Sequence, residues 1–588
     1  MSDITSTEIK KLVELHFKRK NVLYQIQYNS FSYLIEEIIF NKLNNSKNVF
    51  KEIYTTDKKY VNYFNFTNIA LRPPMMQHED VYMWPSDARR LKSNYTSKLV
   101  ANVVQMVDII DINTKEVITK TIGEKQNEVP IASLPIMVNS KYCTTQLRPE
   151  VKNTECPYDP GCYFLINGNE KVVLMNERIV ENKILVFPKK DTTSKTGFTY
   201  RAQINSKPLD RDDIIQLTAV TIKKDKTLIL QVSQFLEIPI FVMMRALGIE
   251  TDADIIKMIV LDDTDFEMIN ILRHSCLNLL TDPTKPEGET NKFIRTQNDA
   301  IIFLQLNIKY MFRYFTESDE ELRKKQMRMH ILKILEKDFL PHMGKNLYDK
   351  AIFLGHIVHR LLRVILGRDD SDDRDSYLNK RIDLPGVLIG QLFTHFYKKM
   401  LTDVGNFFQK KNNDNESPTN VISQIKPTTI EQGIKSALTT GVWGPNKNKK
   451  GVAQALQRES YMQTISYFRR IITPTSDAST SKLTSIRHIQ NTQAFFICPV
   501  ETPEGHKIGL LKTLALSAIV SQNMKHQRPV LETICEKYCK RLQETPLINL
   551  LTNTKVFING TWFGLTVKPE ELIAEIKDKK FKLILDRS

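Results

Sequence analysis

The chain has 588 residues, of which 41% are hydrophobic and 26% are charged, a composition that predicts globular domains with proper cores. Its 83 basic and 67 acidic residues give a net charge of +16. This excess favours a polyanionic partner, although a soluble surface that happens to be basic fits the charge equally well. The sequence has no run near the roughly 18 apolar residues of a membrane helix and no apolar signal region. We therefore expect a soluble, intracellular protein without a membrane partner.

The cysteines indicate the redox environment. Seven cysteines in a chain of this length argue against a disulfide framework. Neither Cys156 with Cys162 nor Cys535 with Cys539 has the CxxC spacing of a zinc ribbon, and no second pair lies nearby to complete four ligands. We expect a reducing compartment and no metal bound by this chain.

The first part of the chain, to about residue 205, predicts mixed α and β structure with a substantial sheet. Strand-like runs occur at 100–112 (VANVVQMVDIIDI), 171–175 (KVVLM) and 183–187 (KILVF). The polar segment KKDTTSKTG, residues 189–197, resembles the tip of a surface hairpin.

From about residue 236 to 400 the pattern becomes helical. Five segments, from FVMMRALGI to AIFLGHIVHRLLRVIL, carry apolar residues at spacings of three and four. The methionine and aromatic positions there predict core packing and not a cofactor pocket. His356 and His359 could share a helix face as metal ligands, but no third ligand is obvious, so we interpret them as packing or surface residues.

Three segments after residue 440 carry basic side chains. GVWGPNKNKKG, residues 441–451, is too polar to pack and suits a phosphate-contacting loop, although a solvated loop fits equally well. YMQTISYFRR, 461–470, predicts a helix with arginines at its negative end, and TSDASTSKLTS, 475–485, predicts a mobile loop. The candidate nucleic-acid contacts in these segments are Lys447, Lys449, Lys450, Arg469, Arg470 and Lys482.

The stretch ICPVETPEGHKIGLLKTLALSAIV, 497–520, interrupts two apolar runs with a turn. Pro503 suits position i+1 of a type I turn and Gly505 suits position i+3, so we expect Glu504 on a stiff corner. The apolar run AFFICPV predicts a strand leading into this corner, and GLLKTLALSAIV predicts a buried element anchoring it. An exposed glutamate on a structural turn is the alternative. Lys512 and Thr513 do not complete a phosphate-binding loop, because the required glycine spacing is missing.

Several long motifs, in this order along the chain, closely resemble the second-largest subunit (beta, or eukaryotic-type subunit 2) of multisubunit DNA-directed RNA polymerases. The stretch 497–519 resembles the fork region of that subunit. The other motifs are NGNEKVVLMNER (167–178), FVMMRALGI (241–249), KDFLPHMG (337–344), AIFLGHIVHRLL (351–362), DDRDSYLNKRIDLPG (372–386), TTGVWG (439–444) and VFINGTWFG (556–564). The details resemble eukaryotic members more than bacterial ones, and the Lys- and Asn-rich insertions point to a large DNA virus, with a protist gene as the alternative.

The resemblance implies an α+β multidomain architecture. A protrusion of mixed sheet and helices would comprise residues 1–207 and 391–444, and a mostly helical lobe 208–390. A fork would follow at 445–521, and the beginning of an external domain at 522–588. The chain would then be the N-terminal half of the subunit, either from a split gene or as a fragment.

The resemblance also implies a site. Arg487, His488 and Glu504 match positions that line the active cleft, and this chain has His488 where eukaryotic relatives usually carry glutamine. No residue of this chain would be catalytic alone. Mg²⁺ would be held mainly by the largest subunit, and a zinc site would lie only in the missing C-terminal half of the second-largest subunit.

The implied function is template-dependent RNA synthesis in an assembled nucleotidyltransferase, with one side of the cleft formed by this chain. The implied partners are the largest subunit, the C-terminal half of the second-largest subunit and smaller subunits, together with DNA template, RNA transcript and ribonucleoside triphosphates. A viral chain would act in the host cytoplasm, a viral factory or the virion, with the nucleus not excluded. The alternative is a non-enzymatic, basic nucleic-acid-binding scaffold that retains the fold.

Overall fold

The chain divides into two compact units. A computed structural model describes residues 6–19, 21–45, 47–54, 58–76, 81–111, 116–149, 155–188, 198–209, 215–277, 294–309, 320–414, 420–444, 449–473, 484–522 and 527–582. The first unit comprises Met1–Arg178 and Lys380–Ser521, and the second comprises Ile179–Asn379 and Gln522–Ser588.

Among the described residues, the first unit begins with seven strands, five α-helices and one π-helix. They are α1 (Ser6–Phe17), α2 (Gln25–Tyr33), a π-helix (Leu34–Phe40), α3 (Asn41–Asn45), β1 (Asn48–Tyr54), β2 (Lys58–Leu71), α4 (Pro85–Arg90), β3 (Thr96–Asp111), β4 (Val117–Pro135), α5 (Thr144–Leu147), β5 (Phe164–Ile166), β6 (Asn169–Val173) and β7 (Met175–Ile179). The second unit follows with five strands and six helices. They are β8 (Leu185–Pro188), β9 (Phe198–Ser206), β10 (Gln216–Lys223), β11 (Leu228–Val232), β12 (Ile238–Pro239), α6 (Ile240–Ala246), α7 (Asp252–Val260), α8 (Phe266–Leu277), α9 (Gln297–Leu306), α10 (Glu320–Lys337) and α11 (Leu347–Ile365).

The chain then returns to each unit once. In the first unit it forms β13 (Lys380–Asp383), α12 (Pro385–Asp414), α13 (Pro427–Thr440), β14 (Ala453–Ala455), α14 (Tyr461–Phe468), β15 (Arg470–Ile472) and β16 (Leu511–Thr513). In the second it forms α15 (Arg528–Tyr538), β17 (Cys539–Arg541), α16 (Asn549–Thr552), β18 (Thr554–Ile558), β19 (Thr561–Thr566) and α17 (Pro569–Phe581).

The largest sheet of the first unit is the antiparallel series β1-β2-β3-β4. In β3, buried and half-buried side chains alternate over much of its length, as expected when one face of a sheet covers a core. The long helix α12 packs against β1, α2 and the π-helix. Its start requires glycine, because a Cβ at Gly386 would lie 1.9 Å from the carbonyl oxygen of Ser30. Sequence-distant segments therefore share one core.

An ionic network fixes the segment that follows β14. Arg458 Nε donates to Glu170 Oε2 at 2.6 Å, and its Nη2 donates to Asp159 Oδ2 at 3.2 Å. The Arg458 guanidinium lies 5.1 Å from the centroid of the Tyr163 ring, whose hydroxyl donates to Asp159 Oδ2 at 2.7 Å. Arg89 Nε donates to the other oxygen of Glu170 at 3.1 Å. These contacts hold the chain just before α14 against the β5–β6 region.

The second unit combines the antiparallel sheet β12-β11-β10-β9-β8 with helices α6 to α11. Every residue of α6 is buried, so this helix forms the centre of the unit. Lys350 in α11 is 0% exposed, and its Nζ donates to the carbonyl oxygens of Leu335, Glu336 and Phe339 at 2.8, 2.8 and 2.6 Å. The lysine thus satisfies carbonyl groups at the end of α10 that no helical N–H can reach. Burial lowers the pKa of Lys350 to about 8.

Two histidines, His342 (buried) and His356 (half-buried), connect α11 and the preceding loop to strands of the same unit. The ring of His356 lies 5.1 Å from the Trp562 ring and 6.3 Å from the Phe557 ring. Ser206 Oγ and His342 Nδ1 are 2.7 Å apart, and both residues are buried. Burial lowers the pKa of each histidine to about 3, so both are neutral in the folded protein at neutral pH.

The sequence correctly predicted the main elements. Over the described residues, the runs at 100–111, 171–175 and 183–187 fall largely in β3, β6–β7 and β8, and the helical segments between 236 and 400 fall largely in helices of α6 to α12. His359 is buried, and the half-buried His356 packs against Trp562, which agrees with the interpretation of both as packing residues. The chain is α+β with several sheets. The predicted hairpin tip at 189–197 lies outside the described residues.

The compact units and the four predicted domains divide the chain at different places. Residues 179–207 belong to the second unit, because β8 and β9 pair with each other and β9 pairs with β10. Residues 380–390 belong to the first unit, where β13 joins the sheet that contains β7. The protrusion, lobe, fork and external-domain boundaries remain predictions. Over the described residues, no helix is long and apolar enough to cross a membrane.

We predict that the second unit loses stability as pH falls below about 6.5. The folded pKa of His342 and His356 is about 3, below the ordinary histidine value of 6.5, so the unfolded chain binds more protons between these values. Each histidine should lower the free energy of unfolding by about 2 kcal/mol between pH 7 and pH 5. Urea unfolding followed by hydrogen exchange of peptides from this unit measures the change.

The variant His356→Phe keeps an aromatic ring beside Trp562 and removes one of the two protonation sites. It should reduce the loss of stability between pH 7 and pH 5 by about 2 kcal/mol, which is the contribution expected from one of the two histidines. His274→Phe, at an exposed position of α8, serves as the matched control. An equal pH dependence in the wild type and in His356→Phe would show that His356 does not titrate on unfolding.

Candidate functional site

A four-stranded sheet in the first unit assembles segments that are far apart in the sequence. Its strand order is β13-β7-β15-β16, with β15 parallel to β7 and antiparallel to β16. Ile471 of β15 lies opposite Met175 on one side and Lys512 on the other. Since side chains alternate between the two faces of a strand, Lys512, Ile471, Met175 and Glu177 lie on one face. We call this sheet the ion-paired sheet.

Glu177 occupies the centre of that face between two lysines. Lys380 Nζ donates to Glu177 Oε1 at 2.6 Å, and Lys512 Nζ donates to Glu177 Oε2 at 3.0 Å. The side chain of Glu177 is 4% exposed, and those of Lys380 and Lys512 are 11% and 8% exposed. A buried carboxylate is stable only with such partners, because burial disfavours its charged form. One carboxylate therefore connects β7 with both outer strands of the sheet.

A second ion pair lies on the opposite face. Arg178 Nε donates to Asp383 Oδ1 at 2.6 Å. Lys449 lies near this pair: burial lowers its pKa, while the attraction of Asp383 opposes the shift. The backbone of Lys449 also pairs with that of Trp443, whose N–H donates to the Lys449 carbonyl oxygen at 2.8 Å. Lys449 is therefore held against the sheet, whereas Lys450 is exposed.

The turn segment, residues 501–510, precedes β16 directly. Glu504 has extended backbone angles, φ −75° and ψ 164°, and a 3₁₀ helix follows at Gly505–Lys507. The predicted type I turn over 502–505 is therefore wrong, since its third residue would need ψ near 0°. Thr502 Oγ instead accepts from Gly509 N and donates to the carbonyl oxygen of Leu511, both at 3.0 Å. These tertiary contacts, and not the local Pro-Glu-Gly sequence, shape the corner.

Arg487 holds the same turn from the other side. Its Nη1 donates to the carbonyl oxygens of His506 and Ile508 at 2.8 and 3.0 Å. Gly509 lies against it with φ +69°, and a Cβ there would lie 2.3 Å from the Arg487 carbonyl oxygen. The structure thus brings Arg487 to the segment that carries Glu504. His488 follows Arg487 and is exposed, as is Glu504.

Arg469 ends α14, as the sequence predicted, but its side chain is buried and not on the surface. Arg469 is 4% exposed, and its Nη1 donates to the carbonyl oxygen of Leu23 at 2.7 Å. Its Nη2 donates to the carbonyl oxygens of Ala515 and Leu516. The side chain is used inside the first unit, which contradicts the prediction that it contacts nucleic acid. The Arg470 guanidinium lies 3.9 Å from the centroid of the Tyr467 ring.

The run AFFICPV is not the predicted strand. Its first part is a turn in which Phe495 has φ +67°, and only Ile497 forms an isolated β-bridge, with Leu514. Phe495 is 87% exposed, an unusual state for an aromatic residue. The end of the predicted anchoring element is also exposed. Together the apolar side chains that are more than half exposed here are Ile489, Phe495, Phe496, Val500, Leu516 and Ile519.

Two predicted cations lie outside the described residues, namely Lys447 and Lys482, together with most of the loop at 475–485. Conversely, sequence reasoning did not assign a role to Glu177, Lys380 or Lys512. The available signal was a charged residue inside an otherwise apolar, strand-like run, as in VVLMNER and GLLKTLA. Such residues are rarely buried unless they are paired.

Comparison with known proteins identifies the family. The family described as RNA polymerase beta subunit matches residues 22–432, and the one described as RNA polymerase Rpb2, domain 3, matches residues 454–520. The first match alone covers well over half of the chain. This chain belongs to the RNA polymerase beta subunit family.

Curated relatives come from a virus, a eukaryote and an archaeon. DNA-directed RNA polymerase subunit 2 of Acanthamoeba polyphaga mimivirus is 38% identical over 98% of this chain and 48% of its own length. DNA-directed RNA polymerase II subunit RPB2 of Encephalitozoon cuniculi is 30% identical over 100% of this chain and 50% of its own. Subunit Rpo2 of Saccharolobus shibatae is 28% identical over 99% and 48%. The chain spans about half the length of these relatives.

Three of the motifs by which the sequence resembles RNA polymerase beta subunits meet in the ion-paired sheet. NGNEKVVLMNER supplies Glu177 and Arg178, DDRDSYLNKRIDLPG supplies Lys380 and Asp383, and the stretch after the turn segment supplies Lys512. Their charged residues pair with one another across the strands. The sheet therefore explains why three of these motifs contain charged residues: the residues form ion pairs with one another in the folded chain.

We predict that Thr502→Val loosens the turn segment without unfolding the first unit. The variant keeps the shape of the side chain and removes two hydrogen bonds, of which each contributes about 1 kcal/mol. The Gly509 amide should exchange its hydrogen roughly tenfold faster, as measured by hydrogen exchange with mass spectrometry. Thr502→Ser keeps the hydroxyl and should restore slow exchange. Slow exchange in the valine variant would show that other contacts hold the turn.

Proposed function

We propose that this chain is part of a DNA-directed RNA polymerase and forms one side of the active cleft for template-dependent RNA synthesis. The observation that carries the proposal is the match to the RNA polymerase beta subunit family over residues 22–432. Relatives named as DNA-directed RNA polymerase subunits align with 98% to 100% of the chain. As in those proteins, the chain would act in the nucleotidyltransferase only as part of a complex.

The exposed apolar side chains around the turn segment support the need for partners. Phe495, Phe496 and Val500 lie close together in sequence and leave most of their surface uncovered. Contiguous exposed apolar surface on a soluble protein marks an interaction site. The partner that we propose for this surface is the region corresponding to the C-terminal half of the second-largest subunit, because the chain spans about half of its relatives. The largest subunit and smaller subunits complete the proposed assembly.

The turn segment provides a positioned carboxylate at the proposed cleft. Glu504 extends from a backbone that Thr502 and Arg487 hold from two sides. A fixed charge of this kind acts on a reacting group without having to reorganise, which is the main electrostatic contribution of enzyme sites. We assign Glu504 the role of orienting the incoming nucleotide or the groups that bind it. Arg487 fixes the turn, and His488 lines the same surface.

The nucleic-acid contacts of the chain are a further part of the proposal. The net charge of +16 favours a polyanion, and the exposed Lys450 is available on the surface of the first unit. Lys447 and Lys482 are proposed contacts from sequence alone. Lys449 is a weaker candidate, because it is held near Asp383.

Metal chemistry is assigned to other chains of the proposed enzyme. Among the described residues, no three His, Cys, Asp or Glu side chains are arranged to hold a metal ion. We derive no step through a metal on this chain. We propose that Mg²⁺ is held mainly by the largest subunit and that zinc binds in the C-terminal half of the second-largest subunit.

Reconstitution tests the proposed function. The chain should make no RNA alone and should support template-dependent synthesis when it is co-expressed with a largest subunit, a C-terminal half-subunit and smaller subunits. The readout is incorporation of labelled nucleotide on a defined template. A chain that folds and binds DNA but associates with none of these partners would instead be a nucleic-acid-binding scaffold.

In the reconstituted enzyme, we predict that Glu504→Ala slows nucleotide addition by at least roughly tenfold, because a positioned charge is lost. The affinity for template should change little, since Glu504 is an anion on an exposed turn. Single-round elongation and a DNA-binding titration measure the two quantities. Glu459→Ala removes another exposed carboxylate, just before α14, and is the matched control. Unchanged elongation in Glu504→Ala would exclude the assigned role.

A further inference from the structure

Lys512 reaches across one strand to its carboxylate. Its own strand, β16, is the last strand of the ion-paired sheet and pairs with β15. The Lys512 side chain passes over Ile471 and donates to Glu177 on β7 at 3.0 Å. Because β16 has only three residues, its ladder hydrogen bonds are few. The ion pair therefore adds a contact that restrains the position of β16 relative to β7, across the intervening strand β15.

The turn segment takes its position from β16. Thr502 Oγ donates to the carbonyl oxygen of Leu511, the first residue of that strand. Thr473 N donates to the carbonyl oxygen of Leu510 at 3.0 Å, and Cys498 N donates to that of Thr513 at 2.9 Å. The beginning of the turn segment is thus bonded to β16 through Thr502, and its end continues directly into β16 and is also bonded to Thr473, just after β15. A displacement of β16 would move the backbone of Glu504 with it.

We propose that Glu177 is a positioning residue: through Lys512 it fixes β16 and thereby the turn segment that presents Glu504. Glu177 is 6% exposed and lies within the sheet, so it acts through the strand and not by contact with a substrate. The effect on nucleotide addition rests on the proposed function, whereas the effect on the turn segment does not.

Lys380 provides an internal control for this assignment. It donates to the other oxygen of the same carboxylate, at 2.6 Å, but it lies on β13, the opposite edge of the sheet. A role of Glu177 in stability alone would make the two lysines equivalent. A positioning role makes Lys512 essential for the turn segment and Lys380 dispensable for it.

The first test uses the full chain without partners. A ketone-bearing residue replaces the exposed His506 and carries a nitroxide, so that the seven cysteines are left unmodified. Electron paramagnetic resonance should show a more mobile label in Glu177→Gln and in Lys512→Met. Lys380→Met should leave the label as immobile as in the wild type. Glu177→Gln combined with Lys512→Met should add little to either single variant, since both remove one contact.

Thermal unfolding of the same variants separates positioning from stability. Glu177→Gln is nearly isosteric, and Lys512→Met offers a second route to the same loss if the first variant folds poorly. Equal label mobility in Lys380→Met and Lys512→Met, with equal loss of thermal stability, would overturn the proposal. An immobile label in both Glu177→Gln and Lys512→Met would also overturn it.

The second test uses the reconstituted enzyme. Glu177→Gln and Lys512→Met should each slow nucleotide addition roughly tenfold at saturating nucleotide, because a small displacement of a positioned group is costly, while Lys380→Met keeps the wild-type rate. If the wild-type assembly makes no RNA, the proposed function fails and the nitroxide experiment still decides whether Glu177 fixes the turn segment. If the label moves but elongation is unaffected in Glu177→Gln, its assigned effect on the reaction is wrong.

Discussion

A single buried carboxylate determines how the first unit is assembled around its candidate site. Glu177 pairs with Lys380 and Lys512, which belong to segments separated from it by about 200 and more than 300 residues. Removal of one partner from a buried ion pair typically costs about 3–5 kcal/mol, because it leaves an uncompensated charge. Replacement of the whole set by apolar residues can be neutral. This cluster of charges thus contributes to the alignment of the strands as much as to the stability of the unit.

Register matters here because the strands are short. A shift of β16 by one residue would turn Lys512 to the opposite face of the sheet, away from Glu177. Apolar side chains alone would define this register weakly. If the strand shifted, a neighbouring apolar side chain could fill the position of Leu511 with only a small loss of packing energy. The same logic applies to Arg178 and Asp383 on the other face. Charged pairs therefore help to specify the alignment of three sequence-distant strands, β7, β13 and β16.

The sequence predicted elements whose formation depends on local periodicity. The helices between 236 and 400 and the strand at 100–112 follow from apolar spacing that tertiary contacts reinforce. The type I turn at Glu504 failed because hydrogen bonds from Thr502 and Arg487, both outside the four-residue window, decide the backbone there. Arg469 resembled an exposed helix end, yet carbonyl groups from two distant segments surround it. Lys512 matched no local motif, because its partner lies 335 residues away.

The difference between local patterns and tertiary contacts also explains why only part of the candidate site could be predicted from the sequence. AFFICPV has the composition of a buried strand, and its exposure follows if the surface that covers it in the proposed assembly lies outside these residues. Apolar composition predicts that a residue will be buried, but it does not predict which surface will bury it. Charged residues inside apolar runs are more informative, because burial obliges them to find a partner within reach. For Glu177 that partner lies in the same unit, which connects a structural ion pair to the edge of a proposed active cleft.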